Sequence, residues 1–169
     1  MPKCRFIAID SSTTATGAAI FDEGIFQYVK LMKRSSDEKM DDRFPAMTKD
    51  ILEFLIEQKP DVLYVEETVV SRNAATQRFL TRIQGVIYSY CVMNDCEFNT
   101  IRPTEWRKYA GINQGKKKRE DLKKEAVERV LKLYDIEVSD DEAEAILIGY
   151  AVLKKFEMII SIPDVSGSG

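Results

Sequence analysis

Residues 3–32 read KCRFIAIDSSTTATGAAIFDEGIFQYVKLM, and this stretch decides the fold. Residues 3–10 (KCRFIAID) are a short apolar run ending at an aspartate, the pattern of a buried strand. After the hydroxyl run Ser11-Ser12-Thr13-Thr14 a second strand is expected at 15–21 (ATGAAIF). The turn Asp22-Glu23-Gly24 then leads into a third at 25–32 (IFQYVKLM). Glycine in so short a connection predicts a hairpin.

Working outward, Met47, Ile51, Phe54 and Leu55 recur at i, i+4, i+7 and i+8, which predicts an amphipathic helix over 40–58 that Pro60 stops. DVLYVEE (61–67) is a fourth strand ending in acid. Phe79, Ile83, Val86, Ile87 and Tyr90 mark a helix over 74–93, and CEFNTI (96–101) reads as a fifth strand. Beyond Arg102-Pro103, WRKYAGINQGKKKR is rich in turn residues and positive charge and reads as a loop. Leu122, Ala126, Val130 and Leu133 place a helix over 118–134. Ser139 with Glu142 three residues on is a capping signature, so a last helix is expected from Asp140 to Lys155. A meander followed by alternating strands and helices predicts an α/β fold: a mixed five-stranded sheet with helices on both faces. No repeat, linker or low-complexity block interrupts the chain. The expected organisation is a single domain over 1–158 and a flexible, glycine-rich tail over 159–169.

Composition excludes whole classes of chemistry. The 169 residues contain no histidine, so neither a Ser-His or Cys-His catalytic pair nor a His-bound zinc or iron site is available. Cys4, Cys91 and Cys96 form no CxxC pair, and their sparse, odd number suggests a reducing compartment. No run approaches the ~20 apolar residues of a membrane span, and the first residues lack a signal-peptide pattern; the expected location is cytoplasmic. What remains for catalysis is carboxylates, hydroxyls, Lys, Arg, Tyr and hard metal ions held by oxygen.

Charge is segregated. Residues 101–132 hold eleven basic and five acidic side chains, a net charge of +6; the whole chain is −3, so the rest carries −9. A basic stretch on an acidic body suits a protein that meets phosphates on one face. A solvated helix laced with i,i+4 ion pairs would look the same by charge alone.

Acids gather where strands end. Asp10 closes the first strand, Glu66 and Glu67 the fourth, and Asp141 and Glu144 share a face at the start of the last helix. If the first and fourth strands are neighbours, their carboxyl ends project from one edge, where α/β folds place their sites. Crowded carboxylates are costly unless cations bind among them. Two Mg²⁺ ions would offset the repulsion, orient an attacking water and stabilise the leaving oxygen of a phosphodiester. Each acid alone also has a plain reading, as a turn residue or as a complement to a helix dipole.

These residues resemble the RuvC family of Holliday junction resolvases, within the ribonuclease H-like superfamily. The likeness runs through AIDSSTTATGAAIF, PDVLYVEETVVSRNAATQRFLTRIQGVI, the Arg102-Pro103 region with its basic loop and helix, and SDDEAEAILIGYA, in that order. It implies catalytic, metal-binding roles for Asp10, Glu66, Asp141 and Glu144, with two Mg²⁺ (or Mn²⁺) per subunit. Glu66 is chosen over Glu67 because it directly follows Leu63-Tyr64-Val65, and strand alternation lets only one of the two face the ions. Lys116, Lys117, Lys118 and Arg119 fall where the family has basic residues touching the scissile backbone, and Arg107 and Lys108 join them as DNA-binding candidates. The resemblance further implies a homodimer acting on four-way and three-way DNA junctions, leaving 5′-phosphate and 3′-hydroxyl ends.

The chain departs from the family pattern in three places. Ala8-Ile9-Asp10-Ser11-Ser12 stands where Gly-Ile-Asp-Pro-Gly is usual, Glu144 where Asp is usual, and Val69 where some members carry an aromatic at the crossover. Val69 in place of that aromatic implies relaxed junction selectivity or cleavage-sequence preference, and the variations together resemble the phage-borne branch, which implies a host-cytoplasm location. IDSSTTATG also resembles the first phosphate loop of actin-like ATPases, which need two such domains. Hydrolysis of RNA–DNA hybrids and noncatalytic junction binding are the nearer alternatives.

Overall fold

The computed structural model describes residues 4–70 and 72–156. The tail expected over 159–169, and the domain end expected at 158, lie outside the described residues.

Five strands form one sheet: β1 (Arg5–Ser11), β2 (Ala15–Asp22), β3 (Ile25–Lys33), β4 (Val62–Glu66) and β5 (Glu97–Ile101). Their spatial order is β3-β2-β1-β4-β5. The meander β1-β2-β3 is antiparallel, as its two short connections require, whereas β4 lies parallel to β1 and β5 parallel to β4. The parallel pairings need crossovers, and these contain α1 (Met40–Gln58) and α2 (Ala74–Met93). The sheet is mixed, as the sequence predicts, and β1 is its central strand.

Alternation along β1 divides the core in two. Ile7 and Ile9 face one way, into a cluster with Met47, Ile51 and Leu55 of α1 and Phe79, Ile83 and Ile87 of α2. Phe79, Ile83 and Tyr90 are therefore core residues, not an exposed face. Phe6 and Ala8 face the other way, onto α3 (Pro103–Ala110), α4 (Arg119–Tyr134) and α5 (Asp140–Lys155). Helix α5 buries ten residues, nearly all apolar, beneath the sheet. Its start is capped as Ser139 and Glu142 foretell: the Ser139 backbone N–H donates to Glu142 Oε2 at 2.8 Å, and the Glu142 N–H to Ser139 Oγ at 3.4 Å.

Helix α3 corrects the sequence reading, which makes residues after Pro103 a loop. Pro103 is the first helical residue, where a missing N–H costs nothing. Gly111, with φ +76°, ends the helix in the left-handed region that an L side chain resists. The two residues that look like loop punctuation are the helix's own start and stop. Trp106 and Ala110, four apart, turn its apolar side inward, and both are fully buried. Arg129 Nε donates to the Ala110 carbonyl at 2.9 Å and ties the helix end to α4.

Candidate active site

The parallel register aligns Ile9 of β1 with Val65 of β4, so the next residues, Asp10 and Glu66, stand side by side. Both follow the alternation onto the α5 side of the sheet. Glu67 takes the opposite phase: its backbone N–H bonds to the Ile101 carbonyl at 2.8 Å, and its carboxylate meets Arg102 Nε at 3.2 Å.

Gly17 brings the last helix in. It lies opposite Asp10 on β2, and a Cβ there would stand 2.5 Å from the backbone oxygen of Asp141. Only a bare backbone lets the first turn of α5 rest on the sheet so close to Asp10. As a result, carboxylate oxygens of Asp10, Asp141 and Glu144 all lie within 4.8 Å of one another. Asp10 and Glu144 are each 8% exposed. Glu66 adjoins this triad, and its Oε2 accepts a 2.6 Å hydrogen bond from the Trp106 indole N–H.

Burial pushes the Asp10 carboxyl well above the usual carboxylate range, and the charges of Glu66, Glu144 and Asp141 push it further. Burial likewise raises Glu66; the Trp106 hydrogen bond and the nearby Arg107 and Arg119 pull it part of the way back. A carboxylate oxygen of Glu144 lies within 4.8 Å of one on Asp10, so its charge opposes a second negative charge on Asp10. A cation relieves the same contact. The donor set is entirely hard oxygen, which fits Mg²⁺ or Mn²⁺ and not a soft ion.

The cluster lines one wall of an open cleft of about 790 Å³. Arg107, Arg119 and Lys123 line it as well. Arg107 Nη2 lies 3.9 Å from Glu144 Oε1. Lys123 Nζ bonds Asp140 Oδ2 at 2.6 Å and sits 3.9 Å from Asp141 Oδ1. Burial opposes the Lys123 charge, but the Asp140 hydrogen bond and the surrounding acids raise its pKa overall.

Of the six basic residues singled out from sequence, Arg107 and Arg119 reach this cleft. Lys108, Lys116, Lys117 and Lys118 are exposed, and Lys117 pairs with Glu125. Lys123 belongs to the basic segment, and nothing in the sequence marks it as a site residue. No spacing rule marks which of eleven cations will meet Asp140. Trp106 is a fully buried core anchor. Val69 lines the cleft and is 62% exposed, at the position where the resemblance expects an aromatic.

The mixed sheet in the order β3-β2-β1-β4-β5 has the ribonuclease H-like α/β fold expected from the sequence, with acids at the ends of β1 and β4 and at the head of α5. No family model matches the chain. It is 24% identical over 121 residues to the crossover junction endodeoxyribonuclease RuvC of Rickettsia akari (strain Hartford), covering 71% of this chain and 75% of that protein. It is 23% identical over 155 residues to the RuvC of Carboxydothermus hydrogenoformans (87% and 94%). Among solved structures, the T. thermophilus RuvC in complex with Holliday junction substrate superposes with a TM-score of 0.69. That match has 15% identity and covers 92% of this chain and 96% of the other. In sequence and in fold together, the chain resembles the RuvC-family resolvases. Among the described residues no helix is long and apolar enough to cross a membrane.

Proposed function

We propose that this chain is a structure-selective DNA endonuclease that cuts Holliday junctions and other branched DNA by hydrolysing phosphodiesters, with Asp10, Glu66, Asp141 and Glu144 as its metal-binding catalytic acids. The observation that carries this reading is the triad of buried Asp10 and Glu144 with half-buried Asp141, in a cleft that also presents Arg107, Arg119 and Lys123. The RuvC proteins it resembles are crossover junction endodeoxyribonucleases, and one such structure holds a Holliday junction.

The four acids would hold Mg²⁺ or Mn²⁺, two ions per subunit, whose Lewis acidity activates water and offsets charge on the phosphoryl oxygens. The chain's own groups do the rest. Glu66, fixed at Oε2 by Trp106, keeps one geometry as the substrate enters. Arg107 and Arg119 stand on the same cleft and meet the negative charge that grows on the phosphate during attack. The exposed Lys108 and Lys116 to Lys118 extend positive charge beyond the cleft, along the path of the duplex arms. A four-way junction has two-fold symmetry, so paired cuts call for two such sites related by a similar axis, and the working unit is a homodimer.

The test is nicking of labelled four-way, three-way and linear DNA and of an RNA–DNA hybrid, with Mg²⁺ or Mn²⁺ and with EDTA, beside Asp10→Asn. Metal-dependent cuts in branched DNA, lost in the variant while binding persists, support the proposal. Preferential hybrid cutting would move the function to RNA removal, and tight junction binding without cutting would leave a binding protein. A monomeric mass under DNA-binding conditions would refute the dimer.

A further inference from the structure

The chain's one tryptophan is fully buried, yet its polar atom is directed at the cleft acids. The indole N–H of Trp106 donates to Glu66 Oε2 at 2.6 Å, across 40 residues of sequence. An aliphatic side chain could fill that space. An indole whose N–H meets a carboxylate does more, because a charge-assisted bond of this length fixes the torsions of a flexible glutamate. It engages one oxygen and leaves Oε1 to ligate. The next residue repeats the arrangement on a second acid: the Arg107 guanidinium carbon lies 5.0 Å from the Trp106 ring centre, and its Nη2 is 3.9 Å from Glu144 Oε1. Helix α3 is itself held firmly, by Pro103 at its start and by the bond from Arg129 to the Ala110 carbonyl at its end.

We infer that Trp106 is a positioning residue that holds Glu66 in a single ligating geometry, so that α3, which contributes no acid to the cluster, sets the affinity of the cluster for divalent ions. The inference rests on the metal-dependent nuclease reading above. Trp106→Phe keeps most of the ring and removes the N–H. Because Trp106 is the chain's one tryptophan, wild-type emission reports directly on this indole.

The experiment pairs Mn²⁺ calorimetry on wild type and Trp106→Phe with a Mn²⁺ titration of wild-type tryptophan emission, all without DNA. Loss of one charge-assisted hydrogen bond predicts Mn²⁺ affinity about tenfold weaker in Trp106→Phe. In nicking assays the half-saturating Mn²⁺ rises by the same factor, and excess Mn²⁺ restores most of the rate. Wild-type emission changes with the calorimetric midpoint, and Asp141→Asn, which leaves the indole untouched, abolishes the change. Equal Mn²⁺ affinity in a folded Trp106→Phe protein overturns the inference and leaves the nuclease standing. If that variant does not fold, wild-type emission that stays constant through saturation overturns it instead. Wild-type protein that binds no Mn²⁺ overturns both readings.

Discussion

Gly17→Ala tests whether α5 delivers its acids by resting on the sheet. The added Cβ would sit 2.5 Å from the Asp141 backbone oxygen and 3.2 Å from the Ala145 Cβ. To recover an ordinary 3.4 Å contact, the first turn of α5 must retreat by about 0.9 Å. Overpacking of this kind costs ~1–3 kcal/mol, and for a chain of this size each kcal/mol lowers Tm by about 2–4 °C. Gly17 has no positive φ, so alanine gains a little from reduced freedom in the unfolded chain, ~0.4–1 kcal/mol, which only trims the loss. The chemical effect is larger. A misplacement near 1 Å costs roughly 10²-fold in rate, so single-turnover cutting of a four-way junction should fall about 10- to 100-fold, while junction binding in EDTA holds. Gly85→Ala is the control, because its Cβ would meet nothing within 4 Å. In the interior of α2 that change should stabilise by ~0.5–1 kcal/mol. A Gly17→Ala protein with wild-type Tm and wild-type cutting would refute the close seating of α5 and the delivery argument with it.

Three further outcomes follow from the same geometry. In EDTA, Asp10→Asn should melt higher than wild type at pH 7–8, by about 2–4 °C for each kcal/mol of relieved repulsion. The sign follows from the raised Asp10 pKa: the folded state holds that proton more tightly, so wild type loses stability as pH climbs from the ordinary carboxylate range through the folded-state value, and the advantage of the variant should vanish near pH 4. Melting curves across pH decide it, and a variant less stable at every pH would contradict the account. Replacing Lys116, Lys117 and Lys118 with alanine should weaken junction binding and flatten its log–log salt dependence by up to about 0.9 per lost phosphate contact; fluorescence anisotropy over a salt series reads this, and an unchanged slope counts against the basic face. Arg119→Ala should slow cutting by roughly 10²-fold or more with a smaller change in binding, whereas equal losses in both would make Arg119 a binding group only.

The ends of β1 and β4 were legible in sequence because strand periodicity is 2: apolar runs place Asp10 and the Glu66-Glu67 pair, alternation lets only one of that pair face the cluster, and the family resemblance pointed to Glu66. The head of α5 was legible because Ser139 and Glu142 form a local signature. Helix α3 was not. Eight residues give one turn-to-turn repeat of apolar positions, and Pro103 and Gly111 signal a loop as readily as a helix's two ends. Partner choice inside the basic segment was also hidden. Lys123 on Asp140 and Arg129 on the Ala110 carbonyl are settled by how α4 lies against α5 and α3, and Lys117 on Glu125 by how the loop before α4 folds back on it, which no local pattern encodes. The Trp106 bond to Glu66 is of the same kind, set by packing between elements far apart in the chain.

Helix α5 also governs when the cleft can exist. A nascent chain that has emerged only as far as residue 139 possesses all five strands and two of the four acids. The flank of the sheet that Phe6, Ala8 and Phe21 turn toward α5 then lacks that helix, and Asp10 has neither Asp141 nor Glu144 beside it. Partial products of translation therefore carry an incomplete core and an incomplete cation site together. A fragment that stops short of α5 cannot assemble the four-acid site proposed above.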